Sequence, residues 1–121
     1  MIGGEALPET RGLRNALEPL LLQYNVDMVF VGHYHQYERS CRLARGECNP
    51  RGPVHLTVGM AGPNNHLPWT PLRPAWNLVQ NFSHGHTVID IMNETHTTVE
   101  ALAPAVQLRC LTAFGLFAGR E

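Results

Sequence analysis

Apolar residues fall at Leu13, Ala16, Leu17, Leu20, Leu21 and Tyr24, the i, i+3, i+4, i+7, i+8, i+11 spacing of a helix with one buried face. Thr10 is suited to cap it. Pro19 falls inside the stripe without shifting its phase. An interior proline costs about 3 kcal/mol, so the pattern predicts one kinked helix packed by its leucine face. Asn25 ends it, and Val26-Asp27-Met28-Val29-Phe30-Val31 follows, apolar throughout except for Asp27. Such a run suits a strand covered on both faces, as in the parallel sheets of α/β domains, with the preceding helix as one cover.

Beyond that strand the periods are shorter. Residues 40–53 hold Cys41, Arg42, Arg45, Gly46, Cys48, Pro50, Gly52 and Pro53 and read as loop. Val54-His55-Leu56-Thr57-Val58 is a strand, closed by Gly59-Met60-Ala61-Gly62, small enough for backbone to approach a neighbour or a ligand. Residues 63–81, with Pro63, Pro68, Pro71, Pro74, Trp69 and Trp76, read as one long loop. His86 to Ile91 and Thr97 to Leu102 alternate, and Asn93-Glu94 between them completes a β-hairpin. Residues 1–9 are an irregular lead-in, and Gln107 to Glu121 has no period to assign.

Composition narrows the function more than the fold. A chain of 121 residues is one domain at most. A formal net charge of −1 excludes a nucleic-acid surface built on charge, and Arg39, Arg42, Arg45 and Arg51 read as a solvated rim. No apolar run reaches the roughly 18 residues that span a bilayer, and Met1-Ile2-Gly3-Gly4-Glu5 lacks the basic start and apolar core of a secretory signal. Three cysteines make no complete disulfide framework, although Cys41 and Cys48 are near enough in sequence to close a small ring in an oxidising compartment. Asn81-Phe82-Ser83 and Asn93-Glu94-Thr95 fit the N-glycosylation pattern and lean toward the same secretory origin.

Candidate chemistry concentrates at Gly32-His33-Tyr34-His35-Gln36-Tyr37-Glu38-Arg39, where the buried strand ends. Ligands gather outside the carboxyl ends of strands in open α/β sheets. On extended backbone His33 and His35 would project to one side, about 6–7 Å apart at Cβ, too wide for one ion and suited to two side by side. Neutral imidazole is the commonest ligand for Zn, Fe and Mn, and Glu38 and Arg39 are placed to orient ligands. A rival pattern, the His-x-His-x3,4-Glu set of cupin barrels, meets Glu38 too early and a helix that no jelly roll carries.

Leu17-Glu18-Pro19-Leu20-Leu21, the string from Val26 to Ser40, and Gly52-Pro53-Val54-His55-Leu56-Thr57-Val58-Gly59-Met60-Ala61-Gly62 together resemble the last block of the purple acid phosphatases, within the calcineurin-like metallophosphoesterases. The resemblance runs over about residues 10–103 and into the hairpin at Asn93-Glu94-Thr95-His96. It implies a metallophosphoesterase-type α/β sandwich, of which residues 1–103 are the C-terminal portion and 104–121 an unassigned tail. It also implies a dinuclear centre, Fe(III) with Fe, Zn or Mn, that hydrolyses phosphate monoesters. His33 would ligate the divalent metal and His35 the ferric ion, with Tyr37, Glu38 and Arg39 as structural neighbours. Cys41 and Cys48 fall where many members carry a cysteine pair, which implies a disulfide and a secreted or vacuolar parent.

The sequence departs from the family in what surrounds these two ligands. The first aspartate, the bridging aspartate with its tyrosine, the asparagine-histidine pair and a further histidine all belong to earlier blocks with no counterpart here. His55, His66, His84, His86 and His96 match no ligand of the pattern and read as strand, loop or turn residues. One histidine per metal is short of the three or four protein ligands such an ion needs. The expectation is a phosphatase segment inactive alone, or else a non-catalytic remnant or metal-binding module. The residues from Gln107 also depart from the family, as an altered reading frame or an unusual terminus would.

Overall fold

A computed structural model describes residues 8–62, 73–104 and 106–113. The lead-in, His66, Trp69 and the end of the tail lie outside the described residues. Helix α1 (Pro8–Gln23) is followed by β1 (Met28–Val31), β2 (Tyr37–Ala44), β3 (Glu47–Cys48), β4 (Val54–Val58), β5 (Asn77–Asn81), β6 (His86–Ile91), β7 (His96–Ala103) and β8 (Val106–Ala113). The architecture is mixed α/β, with one helix and mostly strands.

The helix opens on Pro8, whose fixed φ suits a first turn, so Thr10 lies inside it rather than capping it. It runs on through Pro19 as one helix. Asn25 adopts the left-handed conformation (φ 49°). Its N–H donates to Leu22 O, and Val26 N–H donates to Leu21 O at 2.9 Å, the paired bonds of a Schellman termination. The leucine face meets no cover among the described residues: Leu13, Leu17 and Leu20 are 52%, 46% and 47% exposed.

One sheet runs β1-β4-β2-β3, with β5 on β2; the other runs β6-β7-β8. β1 is parallel to β4, with Phe30 opposite Leu56, and β2 is antiparallel to it, with Tyr37 opposite Val58. The β1 strand is therefore an edge among the described strands, half-buried and with Phe30 exposed, not a strand covered on both faces. Asp27 interrupts its apolar run because its carboxylate meets Arg42 Nη2 at 3.1 Å, while Arg42 Nη1 donates to Gly52 O at 3.0 Å.

Two stretches that read as loop are strands. β2 extends to Ala44, and Glu47–Cys48 returns as β3, with Leu43 opposite Cys48 and a disulfide joining Cys41 to Cys48. Where β2 slips register against β4, between Arg39 and Arg42, the Ser40 hydroxyl accepts from His55 N–H at 2.9 Å in place of a ladder carbonyl. β5, at the end of the proline-rich stretch, pairs Gln80 with Glu38 and Asn81 with Tyr37. β2 meets β3 locally, across the turn at Arg45 and Gly46, but its pairing with β4 and β5 joins distant sequence, which no local period records. The hairpin forms as its alternation implies, with Val88 opposite Glu100 and Asp90 opposite Thr98. Val106–Ala113 adds β8 to the far side of β7.

An apolar cluster joins the sheets. Tyr37, Val54 and Leu56 come from the first, Val99 and Ala101 from the second, and Met60 lies in the segment after β4. Met28, Val58, Val79 and Ala103 pack on its margin.

Candidate metal-binding loop

Residues 32–36 join β1 to β2. Because β4 lies between these strands and runs parallel to one and antiparallel to the other, the five residues must reverse the chain across roughly two strand spacings, about 10 Å. They do so in two tight turns. Tyr34 N–H donates to Gly32 O at 3.0 Å, closing one around His33, and Gln36 N–H donates to Tyr34 O at 2.8 Å, closing the next around His35. The backbone here is thus not extended, which corrects the same-side spacing read from sequence. His33 has φ 74°, the value of the rare, strained γ-turn that few residues with a side chain adopt.

The end of β4 supports this crossing. Gly59 N–H donates to Gln36 O at 3.0 Å, and a Cβ on Gly59 would meet Tyr34 O at 2.0 Å. Only glycine lets the loop pass this closely. A Cβ placed on Gly62 would lie 4.0 Å from Cε1 of the His35 ring, in ordinary contact. His33 and Tyr34 are exposed, their rings edge to face at 5.7 Å, and His35 is half-buried. The two imidazoles are therefore carried on neighbouring turns over the carboxyl end of a parallel pair of strands.

Tyr37, Glu38 and Arg39 begin β2, and none of them is an exposed loop residue. Tyr37 belongs to the core, Arg39 is half-buried, and Glu38 is 1% exposed. Gln36 Nε2 donates to Glu38 Oε2 at 2.6 Å, and Gln80 Nε2 lies 3.4 Å from both Glu38 Oε2 and Gln36 Oε1. Glu38 Oε1 is buried without a hydrogen-bond partner. Burial raises the Glu38 pKa from 4.5 to about 7. Gln36 and Gln80 escape a reading of the sequence: Gln36 sits between stronger candidates, and Gln80 is distant and within a stretch that reads as loop. The signal they do carry, a polar residue in β-period with Glu38, is visible only once β2 and β5 are paired.

As donors, two imidazoles on an accessible turn fit the share of a metal centre that the sequence suggests, one nitrogen for each ion. They do not amount to a complete site. Among the described residues, no group of three or more His, Cys, Asp or Glu side chains is placed to hold a metal. The second His-x-His, His84 and His86, is exposed and gathers no carboxylate into such a group. Of the two glycosylation sequons, Asn93 is exposed at the hairpin turn, its Oδ1 accepting from Thr95 N–H and Oγ1 at 2.9 Å. Asn81 is half-buried at the end of β5. Among the described residues no helix is long and apolar enough to cross a membrane.

Residues 52–106 match the family described as iron/zinc purple acid phosphatase-like protein C. Purple acid phosphatase 18 of Arabidopsis thaliana is 40% identical over 82 residues, 66% of this chain and 19% of that protein. Probable inactive purple acid phosphatase 24 of the same plant is 36% identical over 83 residues, 60% of this chain and 13% of that protein. The fold is similar to that of a purple acid phosphatase from yellow lupin (Lupinus luteus) seeds, with a TM-score of 0.73 and 22% identity over 81% of this chain and 19% of the lupin chain.

Proposed function

From the membership of this chain in the purple acid phosphatase family, of which it carries the C-terminal part, we propose that it supplies one share of a dinuclear phosphatase centre acting on phosphate monoesters. In this reading His33 serves the divalent ion, Fe, Zn or Mn, and His35 serves Fe(III). The supporting observation is the pair of turns across β4, which presents both rings at the carboxyl end of β1 and strains His33 to do so. Strain of this kind, about 1–3 kcal/mol, persists where surrounding structure enforces it, and such sites are commonly functional. The metals would supply Lewis-acid polarisation of a phosphoryl oxygen and a water acidified toward neutral pH. The chain's own part is to hold two imidazoles at fixed positions. Gly59 and Gln36 anchor the loop, and Tyr37 fastens β2 to the core.

The Cys41–Cys48 disulfide and the two sequons support a parent made in the secretory pathway, secreted or vacuolar. A second reading, a non-catalytic member that folds and binds metal weakly, is favoured by the absence of a third donor among the described residues and by relatives named probable inactive. Incubating the 121-residue chain with p-nitrophenyl phosphate and Fe, Zn or Mn is expected to give no turnover under either reading. Turnover abolished by His33→Ala would overturn the assignment of the remaining ligands to sequence outside this chain. The two readings separate once any upstream coding sequence is recovered: phosphatase activity of the extended product, lost in both His33→Ala and His35→Ala, supports the first, and an inactive extended product supports the second.

A further inference from the structure

Gln36 holds the histidine loop at three points. Its N–H closes the turn around His35, its carbonyl accepts from Gly59 N–H, and its side chain is tied to Glu38 by the 2.6 Å bond from Nε2. Both side chains are buried, Gln36 at 8% exposure and Glu38 at 1%, and Gln80 reaches across from β5 toward each. A core that needed only volume at residue 38 would be served by an apolar side chain. This one instead holds a carboxyl group with Oε1 unpartnered and spends its other oxygen on the residue that closes the loop.

We propose that Glu38 is a positioning residue for the metal-binding loop, fixing Gln36 and through it the turn that aims His35. The role rests on the reading of His33 and His35 as metal donors. It assigns Glu38 no contact with metal or substrate. The chain of contacts is short and directional: carboxylate to amide side chain, amide main chain to Tyr34 carbonyl, and the enclosed residue is His35. Loss of a group that orients a ligand typically weakens metal binding 10–100-fold.

The test uses the full chain and Zn2+ as the probe, following the imidazole resonances of individual histidines by NMR. Glu38→Ala should weaken Zn2+ binding at His35 by about tenfold or more and broaden its ring signal, leaving the His84 and His86 signals unchanged. Glu38→Gln, which still accepts from Gln36, should restore wild-type binding. If Glu38→Ala does not fold, Gln36→Leu, which cuts the same bond from the other side, must produce the same loss. Zn2+ binding at His35 unchanged in Glu38→Ala or in Gln36→Leu overturns the role, as does a Glu38→Gln variant as weak as Glu38→Ala. Failure of the underlying reading looks different: His33→Ala and His35→Ala would then leave Zn2+ binding by the chain unaltered.

Discussion

At the residue scale, His33 and Glu38 are both held in states that their chemistry disfavours. For His33 the burden is backbone strain at φ 74°. Glycine adopts that conformation without a Cβ penalty, so His33→Gly should be more stable than His33→Ala by roughly 1 kcal/mol, measured from denaturant midpoints. A Gly variant no more stable than the Ala variant would mean that the turn is not strained. For Glu38 the burden is desolvation. Its pKa is about 7 folded against 4.5 unfolded, so the native state binds the proton more tightly, and this contribution to stability is fully present below pH 4.5 and lost as pH rises through 7. The difference corresponds to about 3 kcal/mol as an upper bound. His55 acts oppositely: burial lowers its pKa, so its contribution is present above the unfolded value of 6.5 and lost as pH falls below it. Melting curves of wild type and Glu38→Gln, which keeps the His55 background constant, should nearly coincide at pH 4.5. At pH 8 the variant should melt higher, and equal curves at both pH values would sink the assignment.

At the element scale, what could be read from the sequence divides by the range of the interaction that makes each element. Helix α1 is visible in Leu13, Leu17, Leu20 and Leu21, its end in Asn25, and the hairpin in the alternation of Val88, Asp90, Thr98 and Glu100, because these signals are local. β2 and β5 are hidden. Cys41 and Arg42 look like loop until Arg42 meets Asp27 and Cys41 meets Cys48, and Gln80 becomes a strand residue only opposite Glu38. The candidate metal-binding loop is half legible: Gly32, His33 and His35 suggest its chemistry in the sequence, but their geometry follows from a crossing over β4 that is a property of the sheet. Gly59 is the link between the two, and a side chain there cannot coexist with Tyr34 O in its present position. Gly59→Ala should therefore shift residues 32–36, seen as changed amide resonances for His33 to Gln36, and lower stability by about 2 kcal/mol or more. Unmoved loop resonances in that variant would show that the close approach has no part in setting the turns.

At the scale of the whole molecule, the surfaces left bare matter as much as the core. α1 turns Leu13, Leu17 and Leu20 outward, and Tyr24 is 71% exposed at its end. β1 is paired on one side only among the described strands and exposes Phe30, and β6 exposes Val88, Ile89 and Ile91. A one-sided parallel strand and an uncovered leucine stripe are unusual on a monomer, since parallel strands are ordinarily buried on both faces and a free strand edge recruits other chains. The chain spans 19% of the length of purple acid phosphatase 18 and of the lupin protein. Produced as 121 residues, it should self-associate at micromolar concentration. Light scattering after size-exclusion chromatography would detect this. Replacing Leu17 with Glu and Leu20 with Lys should shift the distribution toward monomer while leaving the near-ultraviolet circular dichroism unchanged, because neither side chain belongs to the cluster around Tyr37 and Leu56. A wild-type chain that stays monomeric across that range would mean that the helix face and the β1 edge are covered by residues of the chain itself, and the fold would then be more self-sufficient than its described elements imply.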